Sequence, residues 1–480
     1  MNRDIRWYDY LTINIYYLGL TTLTQTMAPL LLPLLVQQFV GATQQGRYFG
    51  IVRLGGLMIA MLSQSVMGML SDRSTFRWGK RRPFIVIGTL ACILSLAGIG
   101  ASAYLEGLKG YWLLFSMYLL QQISANTAQC AEQSLIPDLI PEEKHGIFSG
   151  IKALFEVPIP VVFVSLTVSP LIKDNHLWGA LGIVMSTLFF TMFITLWAPE
   201  NTPSKNTSTW DWQPLFRLLL TTGLFTIIIL AMGEVIKITG WLIHNLSNPI
   251  VQVLIMGSIG FGAMSFAIIV GVKGCFYVSI GKPASQKTTS FIWWVINRLA
   301  FLTGVTNLAG FILYFLQTRL GYGEQSATEP ASRMMMVIGI FVLISAIPAG
   351  WLTDKWGRKR IVALSGIIAT LGTIITLFAT HIGFVYVGGS AIGIATGVFY
   401  TANWALGTHL VPENEAGRYL GLSNLAGAGA GAVGAYIGGP IADFFTTYVP
   451  EIPGLGYVLI FAIYGMLFAL SVGILKKIET

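Results

Sequence analysis

The chain has 480 residues, 54% of them hydrophobic and only 10% charged, with a mean hydropathy of +0.70. A soluble fold of this length would lack the polar residues to cover its surface, so the lipid bilayer has to be its solvent and partner. The formal net charge of +8 is carried by Lys and Arg scattered over short loops, which argues against a gathered phosphate-binding face and against nucleic acid as a partner.

Apolar stretches long enough to cross roughly 30 Å of hydrocarbon lie near 11–38, 46–70, 83–104, 110–135, 146–171, 177–198, 215–240, 249–273, 290–317, 332–352, 361–380, 383–409, 416–443 and 455–475. They predict an all-α, polytopic membrane protein of fourteen transmembrane helices. The first stretch is far longer than the apolar core of a signal peptide and has no small-residue cleavage site, so it is expected to stay as the first helix. The polar runs Pro199 to Pro214 and Lys273 to Ser290 set off the seventh and eighth segments. Trp241, His244 and Asn245 make the connection between those two polar enough that one or both could be re-entrant.

Two stretches repeat each other. Gly68-Met-Leu-Ser-Asp72-Arg73 leading to Trp78-Gly79-Lys80-Arg81-Arg82 reads against Gly350-Trp-Leu-Thr-Asp354-Lys355 leading to Trp356-Gly357-Arg358-Lys359-Arg360. A second pair sets Pro141-Glu142 to Gly146 and Gly150 against Pro412-Glu413 to Gly417 and Gly421. The offset, about 271 to 282 residues, exceeds the roughly 200 that six helices need and leaves room for two more. The expected division is therefore 1–198, a six-helix bundle; 199–289, a linker with two extra helices; and 290–480, a second six-helix bundle. Duplicated halves of this kind are an architecture of secondary transporters.

Placing both termini in the cytoplasm puts twenty Lys and Arg in cytoplasmic loops and tails and leaves five outside: Arg47, Lys109, Lys173, Arg319 and Arg333. That bias fixes the expected orientation, in a plasma or inner membrane.

The loop Gly350-Trp-Leu-Thr-Asp354-Lys355-Trp-Gly357-Arg358-Lys359-Arg360 resembles the signature loop of the major facilitator superfamily, and the copy at Gly68 resembles it too. The first copy carries a four-residue insertion, Ser74-Thr-Phe-Arg77, and in this form is similar to the sucrose-transporter and glycoside-pentoside-hexuronide branches. Fourteen helices depart from the twelve of those branches, although other members of the superfamily insert two between the halves.

A carboxylate at the C-terminal end of its own helix is disfavoured by the helix dipole unless an Arg or another helix N-terminus compensates. The resemblance implies that Asp72 and Asp354 latch the cytoplasmic side, with Arg81, Arg82 and Arg358 tethering adjacent loops; Gly68, Arg73, Gly350 and Lys355 complete the expected gate.

Ionisable groups inside the membrane are costly and mark function by default. Glu132 ends a polar run on the fourth segment in which Gln122, Asn126 and Gln129 share one face. Lys152 and Glu156 stand four apart on the fifth segment, Glu156 roughly 15 Å from the helix start at Gly146 and directly before Pro158 and Pro160. Glu156, then Glu132 and Lys152, are the proton-coupling candidates, against the alternative of a structural Lys–Glu pair. Gln25, Gln122, Asn126, Gln129, Arg298, Asn307, Asn403, Trp404 and Asn424 are the substrate-binding candidates. Arg53 is near enough to a helix end to snorkel, Glu234 and Lys237 read as a local ion pair, and Asn206 and Asn245 fit the glycosylation pattern.

There is no phosphate-cradling loop for a nucleotide, no catalytic triad, and no Cys/His spacing for a metal or disulfide framework; Cys92, Cys130 and Cys275 read as small core residues. No cofactor and no catalysis are expected. The working reading is a monomeric, proton-coupled transporter of a small polar solute, with a sugar or glycoside first. The alternatives are a non-transporting membrane assembly factor and an efflux carrier for amphiphiles.

Overall fold

The structure, a computed structural model, describes residues 6–141, 144–200, 213–281, 286–410 and 416–479, and within these describes no side chain at 145–146, 214, 280, 286–287, 408 and 416–424. Asn424, Asn206, Glu142, Glu143 and the Pro412-Glu413 start therefore lie outside what is described, Asn424 for its side chain. Among the described residues fourteen helices are long enough to cross a bilayer, and there is no strand. We number them α1 (Asp9–Val40), α2 (Gln45–Asp72), α3 (Arg82–Ser102), α4 (Gly107–Gln133), α5 (Ile147–Lys173), α6 (Leu177–Thr195) and α7 (Gln213–Ile243). The rest are α8 (Pro249–Ile280), α9 (Gln286–Leu320), α10 (Thr328–Trp356), α11 (Arg358–Leu377), α12 (Ile382–Leu410), α13 (Ala416–Tyr448) and α14 (Leu455–Ile474).

Thirteen of them are also apolar enough to span by composition; α4, with Gln121, Gln122, Asn126, Gln129, Glu132 and Gln133 in its second half, is the exception. The helix ends follow local chemistry. Pro83 opens α3, Pro249 follows the Asn248 cap whose side chain accepts from the Ile250 N–H at 2.9 Å, and Gly357 at φ +91° makes the sharp entry to α11. Inside α1, Pro29 lies in a π-helical stretch, Met27–Leu31. In α5 the helix breaks at Val157, between Glu156 and Pro158, because the proline nitrogen cannot continue the hydrogen-bond ladder. The segments read as possibly re-entrant, α7 and α8, are 31 and 32 residues of continuous helix.

By their contacts the helices gather in two compact units, residues 1–35 with 59–215 and residues 36–58 with 216–480. In the first, α1 packs on α5 and α6, and α3 packs on α4 and α6. Gly88 of α3 lies so close to α4 that an added Cβ would sit 2.7 Å from the Ser124 carbonyl oxygen. In the second, α9 and α13 form the core, each 83% buried over its spanning window against 22% for α7 and for α10. The central helices α7 and α8 belong to this unit: Phe225 of α7 fills the space beside Gly429 of α13, and Tyr436 of α13 fills that beside Gly233 of α7.

The turn between α1 and α2 also belongs to the second unit, where α2 crosses α13 through small residues. Gly46 and Gly50 face Gly439 and Ala435 with backbones almost in contact, as small residues spaced by four permit in a membrane. A Cβ on Gly439 would stand 2.0 Å from the Gly46 carbonyl oxygen, and one on Gly50 would stand 2.6 Å from that of Ala435. Neither obstacle is a movable side chain. Gly439→Ala is therefore expected to cost about 1–3 kcal/mol by overpacking, while Gly262→Ala, with nothing within 4 Å of the new methyl, is neutral. Thermal unfolding of the purified proteins in detergent separates the two.

Candidate functional site

In the first unit the ionisable groups named by the sequence meet around Tyr17 of α1. The Lys152 ammonium lies 3.7 Å from Glu156 and 4.6 Å above the Tyr17 ring. Glu132 is fully buried, and neither of its carboxyl oxygens meets a hydrogen-bond donor among the described residues. Lys152 is close enough to act on it electrostatically, and Tyr17, itself buried with an unpartnered hydroxyl, is within electrostatic reach of both Glu132 and Glu156. Glu156 is different in kind: it is paired, and its side chain is 42% exposed. Of the amides on α4, Gln122 donates to Tyr118 Oη at 3.0 Å and Asn126 donates back to the Gln122 carbonyl at 2.8 Å, while Gln129 and Gln25 are half-buried.

The first signature loop closes into a network on one guanidinium. Arg81, only 3% exposed, donates through Nη2 to Asp72 at 2.7 Å, through Nε to Asp138 at 2.8 Å and through Nη1 to Ser71 Oγ at 2.9 Å. Burial pulls its pKa down, but the hydrogen bonds and charges of Asp138 and Asp72 outweigh that and leave it raised. Glu200, on the far side of α6, accepts from the backbone N–H groups of Arg81 and Arg82, a carboxylate on the N-terminus of α3. Gly79, at φ +131°, leaves the space that Glu200 uses; a Cβ there would overlap its carboxylate. Arg82 ties down the chain by donating to the Ala198 carbonyl at 2.7 Å. Gly68, by contrast, borders open space.

The second copy builds no such network among the described residues. Asp354 and Arg358 are exposed and line a cavity of about 850 Å³ with Lys359, Arg360, His409 and Lys476. Lys359 donates to the Ile478 carbonyl, and Lys355 lies over the Trp351 ring. A Cβ at Gly350 would lie 3.8 Å from the Thr401 methyl group.

Within the second unit, Asn403 of α12 is fully buried and organises a chain of contacts. Its Nδ2 donates to Asn297 at 2.9 Å, its backbone carbonyl accepts from the Trp294 indole at 2.8 Å, and its Oδ1 accepts from Arg298 at 3.1 Å. Arg298 lies 5.7 Å from the Trp294 ring centre and 5.3 Å from that of Trp404. Asn307, 1% exposed, spends its amide on the Thr303 and Ala430 carbonyls and ties α9 to α13. Arg53 does not snorkel: at 8% exposure it is held in the α2–α13 crossing beside Gly431. The expected ion pair Lys237–Glu234 forms at 2.5 Å.

Three functional contacts were not readable from the sequence. Glu200 lies in a polar linker, and Tyr17 reads as one more apolar-belt aromatic. Asp443, near the end of α13, is a carboxylate whose oxygens accept from the backbone N–H groups of Gly46 at 2.7 Å and Arg47 at 2.6 Å, capping the start of α2. Gln45 adds a hydrogen bond to Tyr457 Oη at 2.9 Å. The only signal for Asp443 was a charge inside an otherwise apolar, glycine-rich segment.

These features define a polytopic helical membrane protein with an internal repeat and with charges held at chosen points of its spans. Two family models match it: "MFS/sugar transport protein" over residues 42–245 and "Major Facilitator Superfamily" over residues 294–477. The chain belongs to the major facilitator superfamily. Among curated proteins it is similar to the minor myo-inositol transporter IolF of Bacillus subtilis (strain 168), 32% identical over 94 residues, 20% of this chain and 21% of that protein. It is also similar to the sucrose transport protein SUT1 of Oryza sativa subsp. japonica, 31% identical over 116 residues, 19% of this chain and 20% of that protein. The matched stretches thus span about a fifth of those relatives. Among solved structures, the fold superposes on the nucleoside transporter NupG with a TM-score of 0.64 at 13% identity, covering 98% of this chain and 100% of that one.

Two substitutions test the networks. Arg81→Gln removes both ion pairs from carboxylates that remain solvent-accessible, Asp72 keeping Lys80 at 3.6 Å, and is expected to cost about 1 kcal/mol, read as a lower midpoint of thermal unfolding; Asp72→Asn, at a 61% exposed partner, costs less. Asp443→Ala removes the cap on α2 and is expected to cost about 1–2 kcal/mol, with Asp443→Asn recovering part because an amide oxygen still accepts one bond.

Proposed function

We propose that this chain is a proton-coupled secondary transporter of a small polar solute, a sugar or glycoside first, working as a monomer by alternating access in a plasma or inner membrane with both termini cytoplasmic. The observation that carries this reading is Glu132, a fully buried carboxyl group on α4 with no hydrogen bond to either oxygen among the described residues. An ionised carboxylate fully buried there without a hydrogen bond costs several kcal/mol in desolvation. A proton bound there removes the charge, so each protonation state favours a different surrounding. Lys152, with Glu156 and Tyr17 as neighbours, supplies the compensating cation when Glu132 is ionised. Glu132 takes precedence over Glu156 as the coupling group, since Glu156 already has a partner and access to solvent.

In this reading the networks at the two ends of α2 act as latches. Arg81 with Asp72 and Asp138 holds the cytoplasmic end, and Asp443 on the Gly46 and Arg47 N–H groups holds the other. The sugar-like substrate is supported by the sugar-transport family model and by the printed names of the inositol and sucrose relatives.

Proteoliposomes with an imposed pH gradient, offered sucrose, myo-inositol and a panel of monosaccharides, test it. Solute-evoked proton flux is expected in the native protein. Glu132→Gln should lower gradient-driven uptake by about tenfold or more, the equivalent of one pKa unit of differential interaction, while solute exchange at equal pH persists. Glu156→Gln should have the smaller effect. Gradient-driven uptake that survives Glu132→Gln with its pH dependence intact overturns the coupling assignment.

A further inference from the structure

Arg298 is a guanidinium in a spanning helix for which the described residues provide no carboxylate. It stands ten residues, roughly 15 Å, from the Thr288 end of a 33-residue span. One of its five donors is used, on the neutral Asn403 oxygen at 3.1 Å. Of the acids in the spans of the same unit, Glu234 is paired with Lys237, Glu329 with Arg333 and Asp443 with the start of α2, while Asp354, in the last turn of α10, lies exposed on the cavity lined by Arg358 and makes no ion pair with Arg298. A cation at this depth without an anion is expensive, and a site that keeps one has a use for it.

The geometry also fixes the guanidinium for binding. Trp294 is fully buried and locked by its hydrogen bond to the Asn403 carbonyl, and Asn403 is locked in turn by Asn297, which donates to the Ser471 carbonyl at 2.8 Å. The guanidinium lies against this rigid wall and against Trp404, whose side chain is 46% exposed. Arg298 itself is half-buried, so its remaining donors are reachable from outside the protein. Arg53, another arginine inside a span of this unit, is closed at 8% exposure.

We propose, resting on the transport reading above, that the transported solute carries a carboxylate and that Arg298, between Trp294 and Trp404, is the group that binds it. A single reachable guanidinium balances a single negative charge and meets a carboxylate through two parallel N–H bonds, whereas a dianionic phosphate ester calls for more than one cation. The exposed indole of Trp404 suits the C–H face of a sugar ring beside that carboxylate, so a sugar acid is the class that satisfies both features.

The test is calorimetric binding to the purified full chain in a detergent without a sugar headgroup, using matched pairs: glucuronate with glucose, galacturonate with galactose, lactobionate with lactose. At least one acid should bind about tenfold or more tightly than its neutral partner, a difference of about 1.4 kcal/mol. Arg298→Gln should bring the acid down to the neutral level without changing the neutral sugar, and Arg298→Lys should retain an intermediate preference. Equal affinities within every pair, no binding by any acid, or a preference that persists in Arg298→Gln overturns the proposal. Displacement of bound acid by phosphatidylglycerol but not by neutral lipid would assign the cation to a lipid headgroup and overturn it too. If Arg298→Gln does not fold, the native preference and the Arg298→Lys variant decide. Acid binding without pH-driven uptake removes the transport reading and leaves the anion site. Uptake of a neutral sugar unchanged in Arg298→Gln does the reverse.

Discussion

Inside a bilayer a charge has no water to fall back on, so each one must be matched by a partner, hidden behind a wall of dipoles, or left unmatched at a cost of several kcal/mol. Every informative feature of this molecule descends from how that constraint is met. Asp443 meets it with the orphan N–H groups at the start of α2, which need an acceptor as much as the carboxylate needs donors; Arg81, buried in the loop outside the spans, answers the same need with two carboxylates and a hydroxyl. Glu132 and Arg298 do not meet it with any opposite charge in hydrogen-bonding contact. Matched charges hold the helices in place, and unmatched ones are free to respond to a proton or a solute.

The duplicated loop shows how the same residues serve differently once their surroundings change. Both copies carry an aspartate in the last turn of a helix and begin the next with a run of cations, and both use a glycine with positive φ at the turn, Gly79 and Gly357. In the first, the insertion Ser74 to Arg77 lengthens the loop, Asp138 stands beside Arg81, and Glu200 caps α3. In the second, Gly357 enters α11 directly, and the corresponding cations line an open cavity. A motif thus supplies the charges, and the neighbours decide whether they close on each other.

Much of this was legible in the sequence because membrane helices are written in long, simple words. The fourteen helices, the repeat and the superfamily follow from apolar length and from one loop. Pairings along one helix were legible too, since Lys152–Glu156 and Glu234–Lys237 depend only on the helical repeat. Contacts across the chain were not. Asp443 and Gly46 are 397 residues apart, and nothing local to either tells that one caps the other. Asn307 and Arg298 looked alike as polar groups on α9, yet one is spent on backbone carbonyls and the other faces outward with donors to spare. Helix phase relative to distant neighbours makes that difference, and composition does not encode it.

The two unmatched groups are of opposite sign and sit in different units, which bears on how a cycle could be driven. In the proposed cycle a proton would remove the charge of the acid in the first unit, and an anionic solute would remove that of the cation in the second. Each ligand would relieve the desolvation cost in its own unit, and neither unit would carry a net uncompensated charge when both are bound. A proton moving with a monocarboxylate transfers no net charge, so such a cycle would draw on the pH difference and not on the membrane potential. The two units are asymmetric, with Glu132 in the first and Arg298 in the second. The physical meaning of that asymmetry is that coupling and recognition need opposite charges, and a duplicated chain is free to assign one to each copy.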